Sequence, residues 1–314
     1  MAQQTGAKSK VLIGFESAYD TIATEGFVVP FNSCAVKASR TQNVAATIRD
    51  SLNPVEPFDG NTDVSGQVVV PVDSIAFWYW MRAMFGNPTT SGTGPYNHVF
   101  KVQDDRPSIT IEQQFPSLDT AKYFQYTGCK ITSMAISAGD DGELVATFSI
   151  VGAQETIASA SFDATPTTLT MARLKNNQLA VQEGGSTHDH ARLVDLTVGT
   201  PVDPDQFVIG GGGIRGDAPD MTLQISGTLN TLFKNTTLLE KAVNATESSI
   251  QMTFTAAATS ALDILLPEVK YSLNSPGVPG PKGLPVSLPF SAYYDDAGEA
   301  SSIVVTLTNS EAHA

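Results

Sequence analysis

Two cysteines, Cys34 and Cys129, in 314 residues are too few for a disulfide framework. Each stands among apolar or small neighbours and reads as a buried free thiol. Histidine is scarce too: His98, His188, His190 and His313 are the whole set. His188-Asp189-His190 offers ligand types for a metal, but it follows Gly184-Gly185 with no cysteine or third histidine nearby to complete a tetrahedral shell, so a solvated loop is expected. Lys plus Arg number 18 against 32 Asp plus Glu, a net charge of −14, which is the wrong sign for a nucleic-acid binder. The longest apolar run, Ile75 to Met81, stops at Arg82 and falls far short of the ~20 residues that span a bilayer. No membrane partner is expected. MAQQTGAKSKVLIG lacks the apolar centre of a signal peptide, which predicts synthesis and folding in a cytoplasm.

Catalytic strings are missing as well. There is no G-x-S-x-G elbow, Walker loop or H-E-x-x-H. Gly211 to Gly216 satisfies G-x-G-x-x-G, but a dinucleotide site needs a helix opening at those glycines, and here Pro219 and an alternating strand pattern follow. Arg215-Gly216-Asp217 spells an adhesion tripeptide, for which a flexible loop is the plainer reading. The acidic pairs Asp104-Asp105, Asp140-Asp141 and Asp295-Asp296 sit at expected turns, where short carboxylates cap local backbone. No catalytic, cofactor-binding or metal-binding residue emerges, and no enzyme is expected. SPGVPGPKGLP (275–285) spaces Gly277, Gly280 and Gly283 as collagen does, yet three triplets in a chain with 25 Gly and 18 Pro make a loop and no triple helix.

What is present is period-two alternation. In ELVATFSIVG (143–152), Leu144, Ala146, Phe148 and Ile150 share one face. MTLQISGTL (221–229), SIQMTFTA (249–256) and SSIVVTLTN (301–309) alternate likewise, so the chain is read as mainly β. A short helix is predicted from Asp73 or Ser74 to Phe85, stopped by Gly86-Asn87-Pro88, and a weaker one over Thr236 to Val243. Both follow a strand containing V/I-S-G. Aligning Val64 with Ile225 pairs Ser65 with Ser226, Gly66 with Gly227 and Phe77 with Leu238, an internal repeat at an offset of 225 − 64 = 161. Phe77, Trp78, Met81, Leu238 and Leu239 are the candidates for packing the two helices.

Irregular segments precede each motif, 39–63 and 199–220. Loops of that length are uncommon in compact domains unless functional, so both are expected to contact a partner. The candidate contact residues are Arg40, Arg49, Asp50 and Phe58 in the first, and Ile214, Arg215 and Asp217 in the second. Alternation breaks over Gln154 to Thr168, which sets expected modules of 1–155 and 156–314.

IGFESAYDTIAT (13–24), VSGQVVVPVDSIAFWYWMRAMFG (64–86), YNHVFKV (96–102), YTGCKITSMAIS (126–137) and LLPEVKYS (265–272), with a closing VTLTN (305–309), give the chain a resemblance to the tail tube proteins, or major tail proteins, of long-tailed siphovirus-type bacteriophages. The resemblance spans most of the chain. It implies two tandem β-barrel or sandwich modules, each with a short flanking α-helix, in a structural virion protein made in host cytoplasm and assembled into a phage tail. It implies self-association into stacked rings around a conduit for DNA ejection, and contact with a tape-measure protein and with tail terminator or tip proteins. DNA would pass through the lumen without specific binding, and the net charge suggests an acidic wall that repels it. No cofactor is implied. Some members carry one module per chain, so a repeat here favours three chains per ring over six. The competing class is a β-sandwich surface adhesin or carbohydrate-binding protein, which explains strands, loops and acidity but needs an export route.

Overall fold

The computed structural model describes residues 3–313 apart from 121, 140 and 279. Asp140, of one acidic pair, and Pro279, in the collagen-like stretch, therefore lie outside the described residues. Among these residues are twenty strands and two α-helices, α1 (Phe77–Phe85) and α2 (Thr237–Val243). All the strands join one hydrogen-bonded network, which stays open; the barrel alternative is not what forms.

An antiparallel run forms the backbone of this network. Lys37–Asn43 pairs with Phe58–Pro71, which pairs with Val145–Gly152, then Tyr123–Ala138, Ala191–Gly199, Gln224–Leu232 and Pro285–Tyr293. Val145–Gly152 alternates half-buried and buried along its whole length, with Ala146, Phe148 and Ile150 inward. One feature of a pleated strand, opposite faces for successive residues, thus explains the pattern read in the sequence.

The first part of Tyr123–Ala138 also pairs with Ile109–Gln114 on one side and Gln154–Ala158 on the other. Ile109–Gln114 leads on to Lys10–Phe15 and Phe27–Val29. The same order recurs later in the chain. Ser260–Tyr271 pairs with Ser248–Ala257, Pro285–Tyr293 and Val304–Asn309, and Ser248–Ala257 leads on to Leu179–Glu183 and Ser186–Thr187. Val64 lies opposite Ala38 and Gly152, and Ile225 lies opposite Val198 and Ala292.

The two sets of strands are stitched together. Tyr96–Lys101, from the first, pairs with Val304–Asn309, from the second. The stretch 154–168, where alternation fails, holds the strand Gln154–Ala158 and a parallel pairing of Thr167–Thr168 with Phe27 and Val28. Gln154–Ala158 escaped the sequence reading because none of its residues is fully buried, so no face is marked by apolar side chains.

The core is organised around α1. Eight of its residues are buried, and only Arg82 reaches partial exposure. A helix apolar on all sides must be enclosed on all sides. Phe77 and Trp80 meet Phe148 with ring centroids at 6.0 and 5.0 Å, and Trp78 packs against Phe100. Each large side chain so enclosed contributes roughly 1.5–3 kcal/mol. Met81 is fully buried. The second helix is lighter: Leu238 and Ala242 are buried, while Leu239 packs partly covered against the core.

Asp73 starts α1. Its Oδ1 accepts from the backbone N–H groups of Ile75 and Ala76 at 2.7 Å each, while Oδ2 is buried without a partner. Burial outweighs those bonds and pushes the carboxyl up to about 6. A carboxyl raised in the folded state holds its proton longer than in the unfolded chain. Its contribution to stability is therefore greatest at acid pH and is lost as pH rises from about 4 to 6. Denaturation midpoints followed across that window in wild type and Asp73→Asn should differ in slope, with the falling component absent from the variant.

The glycine of the repeated V/I-S-G motif has a steric cause at both sites. A methyl group on Gly66 would overlap the Ala35 carbonyl and Val36 Cα, and one on Gly227 would overlap the Asp195 carbonyl and the Phe290 ring. Gly66→Ala and Gly227→Ala should each lower stability by about 1–3 kcal/mol through overpacking. Urea titration followed by tryptophan fluorescence measures this, and an unchanged midpoint would refute the steric reading.

Candidate assembly surface

Three surface features stand out. The first is the junction between the two sets of strands. Tyr123–Ala138 runs past the end of Ile109–Gln114, and its overhang, Ser133 to Ala138, pairs with Val194 to Gly199. Buried Met134 and Ile136 there lie opposite Val198 and Leu196. The outward residues form rows across the whole run. Ser33, Val69, Thr147, Ala135, Thr197, Ser226 and Ser291 are successive cross-strand neighbours, none charged. Residues in direct register share a face, so this row is hydroxyl-rich and uncharged. Other rows of the face carry charge: Lys37, Ser65, Val151 and Lys130 are successive neighbours, Asp63 and Lys270 lie opposite Ser39 and Ser291, Asp195 accepts from Ser137 Oγ at 2.6 Å, and Lys130 pairs with Asp220 at 3.3 Å.

The second feature is the segment 200–223, which holds only isolated bridges and is pinned by two buried arginines. Arg106 Nη1 donates to the Met84 and Ile131 carbonyls at 3.3 and 3.1 Å, and Nη2 donates to Thr200 O at 3.2 Å and pairs with Asp220. One guanidinium thereby ties the end of α1, the long central strand and the segment together. A fixed fork of donors suits this role better than a lysine. Arg215, only 2% exposed, donates through Nε to Pro204 O at 2.5 Å and through Nη1 to Gly152 O. It also pairs with Asp63 Oδ1 at 2.8 Å and lies over the Phe207 ring. Thr62 N donates to Gly213 O at 2.9 Å, so the glycine run rests on the strand Phe58–Pro71.

This corrects the expectation of a flexible loop at Gly211 to Asp217, and a buried Arg215 cannot serve as an adhesion tripeptide. Arg215 is engaged inside its own chain; Ile214 is half-buried and Asp217 exposed. Val208 and Ile209 stand out in solvent instead. Arg106 was missed in the sequence because Asp104-Asp105 and Pro107 around it read as a solvated turn.

The third feature is 44–57. Part of the irregular 39–63 segment is strand, Lys37–Asn43 and Phe58 onward, whose side chains are too exposed to alternate. The remaining tip carries Val44, Ile48 and Leu52, all exposed apolar residues, with exposed Phe58 at its base. Arg49 donates only to Asn53 O and Pro54 O of its own tip, Asp50 is exposed, and Arg40 pairs with Asp59 at 3.0 Å on the surface. Ile48 and Leu52 stand fully in water.

Nothing resembling an active centre accompanies these features. His188 Nε2 bonds Thr231 Oγ1 at 2.8 Å, and no group of three metal-ligating side chains is found among the described residues. Asp295 accepts from the N–H groups of Ala297, Gly298 and Glu299, the turn role expected of it. Cys34 and Cys129 are both free, and burial pushes both thiols up.

The family described as phage tail tube protein matches residues 6–292. The chain belongs to that family, and so is a structural component of a bacteriophage tail and not an enzyme. No curated protein matches it.

Because Arg215 closes over Gly152 O, Pro204 O and Asp63, Arg215→Ala leaves two carbonyls and a carboxylate without their donor. The variant should lose about 1–3 kcal/mol and become cleavable in the 205–213 stretch. Limited proteolysis with mass mapping checks it; protection equal to wild type would show that the latch does not hold the segment.

Proposed function

We propose that the chain polymerises into stacked rings that form the phage tail tube, the conduit through which DNA is ejected, and that its two sets of strands are tandem tube modules. The recurrence of one strand order, Lys37–Asn43 through Pro285–Tyr293, supports this reading. Residues 10–158 form the first module and 179–309 the second, with the hairpin Thr89–Ser91 and Tyr96–Lys101 lent by the first to the second. Two modules per chain give a ring of three chains and six modules, since ring geometry depends on module number and tilt.

The neutral face spanning both modules is the wall of the conduit. This revises the acidic wall suggested by net charge. Binding DNA takes a cluster of cations that displaces counterions from phosphates; on this face Lys130 and Lys270 are already paired with Asp220 and Glu247, and Lys37 stands three strands away from Lys130, so DNA and a tape-measure protein pass without being held. The exposed tips at 44–57 and 205–213 contact the next ring, and tail terminator or tip proteins cap the stack. Synthesis and folding take place in the host cytoplasm, and tips of this apolar character become covered on assembly.

Cryo-electron microscopy of purified protein, reconstructed without imposed symmetry, should show tubes with three chains per ring. Six chains per ring would end the duplicated-module reading. Assembled tubes should also fail to shift double-stranded DNA in low-salt gels, and salt-dependent retention would reject the neutral wall.

A further inference from the structure

The junction inside the chain fixes how one copy meets the next. We infer that the strand edge Cys34 to Ser39 of one copy pairs antiparallel with Ser272 to Gly277 of a second copy, in the register of the internal junction. This rests on the ring reading above and specifies its contact.

The argument follows from equivalent strands. Lys130 and Ile131 lie opposite Val151 and Ile150, and Lys270 and Tyr271 lie opposite Ser291 and Phe290. Beyond that point Ser133 to Ala138 has Val194 to Gly199 on its outer edge. The later counterpart continues only as far as Ser272 N, which donates to Pro289 O at 2.8 Å, and Asn274, whose side chain holds Ser287 O at 2.8 Å. The outer edge of 272–278 has no strand beside it among the described residues.

The other half of the contact is found at the opposite end. Val194, Thr197 and Val198 lie opposite Leu229, Ser226 and Ile225. Their counterparts Cys34, Lys37 and Ala38 lie opposite Val68, Ser65 and Val64. Val194 to Gly199 has a strand on both edges; among the described residues Cys34 to Ser39 has one only, with Gln113 Nε2 donating to Val36 O at 2.7 Å on the other side. The chain thus ends in two half-junctions that complement each other. Head-to-tail joining of such ends closes into a ring.

Transferring the internal register pairs Leu273 with Ala38, Asn274 with Lys37, Pro276 with Ala35 and Gly277 with Cys34. Leu273 takes the place of buried Met134, which removes an exposed leucine from water. Pro276 is the informative position. It has no N–H, and it falls opposite Ala35, whose own N–H already points inward to Gln67 O at 2.8 Å. Pairs of that parity exchange no hydrogen bonds across the new contact, so the proline is tolerated there and would not be one residue away.

The test is disulfide trapping. Lys37→Cys with Asn274→Cys occupies a pair without cross-strand hydrogen bonds, whose close Cα spacing suits a disulfide. Assembled, oxidised double variant should run as a ladder of linked chains on non-reducing gels, absent from each single variant and from wild type with its native Cys34. Ser33→Cys with Asn274→Cys is the off-register control. Tubes that form without the 37–274 link, or with the control link instead, overturn the register and leave the ring reading standing. Folded chain, verified by circular dichroism, that forms no tube overturns both. Leu273→Asp gives an independent arm: a folded, monomeric variant supports the contact, and normal tubes refute it.

Discussion

A strand edge carries backbone donors and acceptors that must be satisfied, and the whole molecule follows from how it meets that demand. Tyr123–Ala138 is the clearest instance. Each of its sides is shared by two partners in succession, Ile109–Gln114 then Val194 to Gly199 on one, Gln154–Ala158 then Val145–Gly152 on the other. Sixteen residues of one strand thereby hold both sets of strands together. Had Ile109–Gln114 been long enough to cover the overhang, the second set would have had no edge to join.

Packing reinforces what pairing sets up. α1 brings a wholly apolar surface, and the sheet closes over it with Phe148, Phe100 and Ile150. Arg106 reaches in to donate to the carbonyl at the helix end and to the Ile131 carbonyl of the central strand, which it shares with Thr200 Oγ1. Burying that charge costs several kcal/mol before its partners repay it, so its value is in specifying one arrangement of helix, strand and segment. Arg215 has the same logic further out, with a more exposed carboxylate as its ionic partner.

Strands with one buried face were legible because burial writes alternation into sequence, as in Val145–Gly152. Strands with little burial wrote nothing. Lys37–Asn43 and Gln154–Ala158 looked like loop, though each pairs along its length with one neighbouring strand. The offset of 161 was legible through Gly66 and Gly227, since only glycine fits where another chain segment passes so close. The surface features were half legible. Segment length pointed to 39–63 and 199–220, but the local letters around Arg106 and Arg215 gave no sign of burial, because their hosts, Ile131, Thr200, Gly152 and Asp63, lie far away in sequence.

Charge placement carries the last step. A net charge of −14 belongs to the chain, but a conduit feels only the face turned toward it. The row from Ser33 to Ser291 is made of serine, threonine, alanine and valine and holds no acid; Asp63 and Asp195 lie in neighbouring rows, and other acids sit at turns such as Asp104-Asp105 and Asp295-Asp296. At physiological salt, exposed charges farther than about 8 Å apart are largely screened, and such turn carboxylates do little to a polymer moving along the sheet. Hydroxyl groups exchange hydrogen bonds with water and with phosphate at nearly equal free energy, so a wall of them neither holds nor repels DNA strongly. On the tube reading proposed above, the two demands on the chain would be met on separate surfaces: acidity would keep free subunits apart, and the uncharged row would leave the passage without a site at which to stall.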